Sequence, residues 1–178
     1  MKVIIADDHR LVREGLAQVL RGCDPITEVL EAEAHDKLWE ILDRHHDIAL
    51  VLLDINMEQV TTVEMLNRIK GGHPKTAIAI LSVLENPVLA GKLLNNGAAG
   101  YIPKSVSNKL LLSAVMLILS GGVYIPPFVL DTINGSEHDG QSPYPSYRQA
   151  AILYWGFLRI AAQRQATNEF LTTKIKDD

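Results

Sequence analysis

A chain of 178 residues, 47% apolar and with a net charge of −4, can form one domain with a full core plus a small appendage. The most apolar segment, LLLSAVMLILSGGVYIPPFVL, is interrupted by Ser, Gly and Pro, so a buried helix followed by a loop is expected there and not the membrane span of roughly 18 apolar residues. A single cysteine, Cys23, excludes an internal disulfide framework, and with no leader pattern ahead of the first strand the expected setting is the cytoplasm.

The first apolar run, KVIIA at 2–6, predicts a buried strand that stops at Asp7 and Asp8. LVREGLAQVLRG then sets Val12, Leu16, Val19 and Leu20 at helical spacing, with Gly22 as the stop. A second strand is predicted at 27–32, followed by a helix in KLWEILDRHH. The third strand, 49–53, ends on Asp54 and leads to the helix VEMLNRIKGG. The fourth, 77–81, ends on Ser82 and precedes VLAGKLLNNG. The fifth, 99–102, runs through GYIP into Lys104 and then SNKLLLSAVMLILSGG, with Ser107 as the N-cap. This regular alternation predicts an α/β fold: a doubly wound, five-stranded parallel sheet with right-handed crossovers and helices on both faces. The strands are almost wholly apolar, as strands covered on both sides must be.

After Gly121 the alternation stops. Residues 122–145 are rich in Gly, Pro, Ser and acids and are expected to form a linker between a first domain, 1–121, and a tail, 146–178. The tail holds one predicted helix, from about Ser146 to Gln165, apolar on nearly every face. Residues 144–178 carry 5 basic against 3 acidic side chains, a net of +2 that is a thin electrostatic footprint for nucleic acid.

Parallel strands bring their carboxyl ends together at one edge of the sheet, where α/β folds place ligands. Asp7, Asp8 and Asp54 would form a hard, oxygen-rich cluster there, suited to Mg²⁺. A carboxylate such as Asp54 can attack phosphorus and become an aspartyl-phosphate. Mg²⁺ and the ammonium of Lys104 would neutralise the phosphoryl oxygens, and the Ser82 hydroxyl would hydrogen-bond the phosphate. Each residue alone is more often a cap, a turn former or a solvated side chain; their joint placement at successive strand ends carries the argument. No glycine-rich phosphate loop follows the first strand, which weighs against a nucleotide-hydrolysing enzyme. His9 has no second His or Cys at ligand spacing and is expected at the start of a helix rather than on a metal.

The segments ADDHRLVREGL, LVLLDINM, AILSVLEN and GAAGYIPKS resemble those of bacterial response-regulator receiver domains, over roughly residues 1–121. The resemblance implies a flavodoxin-like sheet of order 2-1-3-4-5, with Asp54 as phosphoacceptor. Asp7, Asp8, Asp54 and the backbone carbonyl of Asn56 would hold Mg²⁺. Lys104 and Ser82 would engage the phosphoryl group, and Ser82 with Tyr101 would form the switch. The partner implied is a sensor histidine kinase, with self-association as a homodimer a further mode. The protein would be a phosphoacceptor switch and not an enzyme, beyond self-phosphorylation from small donors and self-dephosphorylation. ADDH, GYIPKS and SGGVYIPP are most similar to the NarL/FixJ class, whose output is a helix-turn-helix DNA-binding domain of the LuxR type. RQAAILYWGFLRIAAQRQATNEF resembles the opening helix of that output, but the recognition helix has no evident counterpart. The tail is therefore expected to be a truncated helix-turn-helix remnant, which counts against direct DNA binding. The competing reading is a stand-alone receiver, or a pseudo-receiver, that works by protein contacts. Three departures favour it: Glu58 and Thr62 in the loop after Asp54, where proline and glycine are usual, and Val83 beside Ser82, where a small residue is favoured.

Overall fold

The computed structural model describes residues 1–57 and 61–130. The predicted tail helix, the helix-turn-helix remnant, most of the linker and Glu58 lie outside these residues. Five strands alternate with five helices: β1 (Lys2–Ala6), α1 (Arg10–Leu20), β2 (Glu28–Ala32), α2 (His35–Arg44), β3 (Ile48–Asp54), α3 (Thr62–Gly72), β4 (Ala77–Ser82), α4 (Pro87–Asn95), β5 (Gly100–Pro103) and α5 (Asn108–Leu119). All strand pairings are parallel, in the order β2-β1-β3-β4-β5. The expected fold and strand order are both present.

The strand residues alternate between two buried faces. Val3, Ile5, Leu50, Leu52, Leu81 and Ile102 pack against Ala17 and Leu20 of α1 and Leu111, Ala114, Val115 and Ile118 of α5. The intervening residues Ile4, Val51, Leu53, Ile78, Ile80 and Tyr101 are buried as completely, so the opposite face is covered too. Helix starts follow their local chemistry. Asn86 caps α4 through Leu89 N–H with Pro87 at the first helical position, and Ser107 caps α5 through Leu110 N–H, as predicted. Thr61 and Glu64 form a reciprocal capping box at α3.

The register aligns the functional strand ends. Asp54 lies opposite Leu81, Ser82 lies opposite Pro103, and the Asp7 N–H continues the β1–β2 ladder onto the Ala32 carbonyl at 3.1 Å. After the last strand, α5 closes in a Schellman turn. Gly121 (φ 91°) donates to Ile118 and Gly122 donates to Leu117, which sends the backbone back along β5. Tyr124 then pairs in parallel with Gly100, and the compact unit closes only at Val129, which is buried.

Candidate functional site on the carboxyl edge

Asp7 is held by its own neighbourhood. Its side chain is wholly buried, its Oδ1 accepts the His9 N–H at 2.8 Å, and its backbone carbonyl accepts Arg13 Nη1 at 2.7 Å. Asp54, the last residue of β3, is equally buried, and its Oδ1 takes a long 3.4 Å hydrogen bond from Asn56 N–H. Asp8 is exposed at the rim. Lys104 reaches in from the loop after β5, its Nζ 2.7 Å from Asp7 Oδ2 and 2.9 Å from Asp54 Oδ2. The two Oδ2 atoms have this ammonium at ion-pair distance and no hydrogen-bond donor aligned on them. Burial works to lower the Lys104 pKa, but the close negative charge of Asp7 and Asp54 outweighs it and holds the ammonium above its ordinary range.

Three carboxylates against one ammonium leave a charge of −2 (−3 + 1) at a largely buried site. Two buried carboxylate oxygens without aligned donors and a third acid at the rim form an oxygen-rich donor set that fits a divalent cation. Asp7, Asp8, His9 and Asp54 each offer a ligand atom, all within 4.8 Å of one another. His9 is the residue sequence reasoning set aside: it starts α1 as expected, yet its Nδ1 lies 2.7 Å from Asp8 Oδ1 and 3.3 Å from Asp7 Oδ1. Its position directly after the acid pair was the available signal.

Ser82 and Tyr101 are linked through one loop residue. The buried Ser82 Oγ accepts the Leu84 N–H at 2.9 Å, while the Tyr101 hydroxyl donates to the Leu84 carbonyl at 2.6 Å. The Tyr101 ring is fully buried. Burial is the main cause that raises its phenol pKa, and Glu85 adds to it, while a hydrogen bond with Ser82 acts the other way. The Lys104 N–H donates to the Ser82 carbonyl at 2.7 Å, so β4 and the Lys104 loop are fastened at the site itself. Of the departures noted above, Val83 is 63% exposed, and Thr62 is simply the first residue of α3. Thr62 therefore needs no left-handed backbone, and its hydroxyl donates to the Ile55 carbonyl at 3.4 Å.

A doubly wound sheet that gathers an acid pair, a buried strand-end aspartate, a serine and a lysine on its carboxyl edge is the receiver module of two-component signalling. The chain belongs to the response regulator receiver domain family, whose model matches residues 3–116. It is 32% identical over 148 residues to the glycerol metabolism activator of Pseudomonas putida, covering 80% of this chain and 67% of that protein. For the next two relatives the aligned segment is 54% and 57% of their lengths, so the chain spans little more than half of each. Among solved structures it resembles the isolated receiver domain of RcsB from Salmonella enterica serovar Typhimurium with the phosphomimetic BeF3−. The TM-score is 0.66 at 26% identity, covering 72% of this chain and 95% of that one. It also resembles RcsB in a structure of two dimers bound to two parallel DNAs, with a TM-score of 0.69 at 25% identity, covering 80% and 71%. Among the described residues no helix is long and apolar enough to cross a membrane.

Proposed function

We propose that Asp54 is the phosphoacceptor of this response regulator and that a sensor histidine kinase is the donor. A carboxylate oxygen of Asp54 attacks the phosphorus of a phosphohistidine. The P–N bond breaks, and the imidazole nitrogen keeps the electron pair and takes up a proton. Asp7, Asp8, Asp54 and the Asn56 carbonyl would hold Mg²⁺, which supplies charge neutralisation to the phosphoryl oxygens. Lys104 would supply a second positive charge, and Ser82 would turn its hydroxyl from Leu84 N–H to the phosphoryl group. The observation that carries the reading is the double ion pair of Lys104 with the buried Asp7 and Asp54. No turnover of an external substrate is assigned: one phosphoryl group per chain is the product, and the expected location is the cytoplasm. By analogy with the DNA-bound dimers of RcsB, the outcome would be altered self-association and transcription control.

The test is intact-mass measurement of the full chain with a small acyl phosphate and Mg²⁺, alongside size-exclusion chromatography. The expected result is a gain of one acid-labile phosphoryl group that disappears in Asp54→Ala. An unchanged mass, or a gain that survives this substitution, would overturn the assignment. The pseudo-receiver acting through protein contacts would then take its place.

A further inference from the structure

We infer that residues 123–129 are a strap whose docking on β5 is coupled to the position of Tyr101, so that the state of the phosphorylation site is passed to the chain that follows Val129. The phosphorylation half of this inference rests on the function proposed above; the coupling half rests on geometry alone.

β5 is an edge strand, with backbone groups open to one more partner. The strap supplies that partner at a single residue: Tyr124 N–H donates to the Ala99 carbonyl at 3.0 Å, and Tyr101 N–H donates to the Tyr124 carbonyl at 3.2 Å. This close approach depends on Gly100. A Cβ there would lie 3.2 Å from the Tyr124 Cβ and 2.8 Å from Ile118 Cδ1. Farther along, Pro126 and Val129 are buried. Phe128 meets the Tyr101 ring edge-on, with centroids 6.0 Å apart and planes at 83°.

Tyr101 is therefore gripped from two directions. Its hydroxyl is fastened to Leu84, in the loop that Ser82 also holds, while its backbone N–H and its ring edge are fastened to the strap. When Ser82 turns to a phosphoryl group, Leu84 loses its side-chain acceptor and the Tyr101 hydroxyl loses a fixed partner. A ring that leaves its site removes the surface against which Phe128 packs. Beside the paired residue, the ring contact and the buried Pro126 and Val129, the strap adds no further strand to the sheet, so it can open without unfolding β1–β5.

Amide hydrogen exchange of the full chain tests both halves. In unphosphorylated protein, Tyr101→Leu and, separately, Phe128→Ala are expected to speed exchange at Tyr124 by about tenfold while the β1 and β3 amides hold. Unchanged Tyr124 exchange in both variants would overturn the coupling, whether or not the chain is ever phosphorylated. With acyl phosphate and Mg²⁺, a sample shown by mass to be phosphorylated is expected to lose the same protection. Retained protection in that sample would overturn the strap as the outlet. A sample that takes up no phosphoryl group would instead overturn the proposed function, with the two variants still deciding the coupling.

Discussion

Lys104 lies 2.9 Å from Asp54 across the carboxyl edge, and the same ammonium reaches Asp7 at 2.7 Å. One flexible cation thus balances part of the charge of two carboxylates that are wholly buried. The unmatched charge is negative, so it favours a divalent cation and opposes a phosphoryl group, which is itself anionic. Uptake of the phosphoryl group would therefore depend on the metal and the Lys104 ammonium together offsetting the carboxylates.

Replacing the cation exposes this dependence. Lys104→Met takes the ammonium away from two buried carboxylates, and the metal-free protein is expected to lose about 3 kcal/mol of unfolding free energy. Urea unfolding in the presence of a chelator measures it. Phosphoryl uptake should fall roughly a hundredfold, the usual effect of losing one charge-stabilising group. A loss in stability well below about 1 kcal/mol would mean that solvent already compensates the pair.

Metal addition should act in the opposite direction. Mg²⁺ at about a hundred times its dissociation constant is expected to stabilise the folded chain by about 2.7 kcal/mol, read as a rise in Tm that a chelator reverses. Asp8→Ala removes the rim carboxylate and should abolish most of the rise while leaving the metal-free fold in place, because Asp8 is exposed and lies outside the sheet. A Tm indifferent to Mg²⁺ would remove the metal from the site.

The alkaline limb of the stability profile follows from three groups whose folded pKa values are all raised: Lys104, Tyr101 and Tyr124. A group that binds its proton more tightly when folded contributes fully below its unfolded value and loses that contribution as pH rises through its folded value. The ordinary values are 10.5 for the lysine and 10.0 for the tyrosines, so these groups impose no slope near neutrality and a decline above about pH 10. Denaturant unfolding between pH 8 and pH 11 is expected to show it, with a shallower decline in Tyr101→Phe. A slope of the same size in that variant would assign the decline to other groups.

The strands and their functional ends were legible because buried parallel strands are nearly pure apolar runs, and the first polar residue after such a run marks the sheet edge. Asp7, Asp54, Ser82 and Lys104 fall where that logic puts them, and only boundaries shifted, as where Ile48 and Asp54 extend the predicted third strand at both ends. Thr62 was harder: it stands where a glycine is usual, and a glycine alone would leave a left-handed backbone open there. Thr61 and Glu64 carried the capping-box spacing that instead begins α3 at this residue. Tyr124 was illegible for a different reason. A strand of one paired residue has no periodicity, and its Gly and Pro neighbours give the composition of a loop whether or not the segment docks.

On the proposed function, Ser82 would separate accepting the phosphoryl group from responding to it. Its hydroxyl is not among the carboxylates or the cation of the site; it accepts the Leu84 N–H, and Leu84 in turn accepts the Tyr101 hydroxyl. Ser82→Ala leaves the acid triad and Lys104 intact, so Asp54 should still gain mass with acyl phosphate and Mg²⁺. The response should be missing. In the parent chain phosphorylation is expected to speed Leu84 amide exchange, because Ser82 leaves that N–H. In the variant the Leu84 amide has already lost its side-chain acceptor, so exchange is fast from the start and phosphorylation adds nothing. The substitution also removes one hydrogen bond, worth about 1 kcal/mol of stability. If phosphorylated Ser82→Ala still changes exchange at Leu84 and Tyr101 as the parent does, the signal leaves Asp54 by a route other than this hydroxyl.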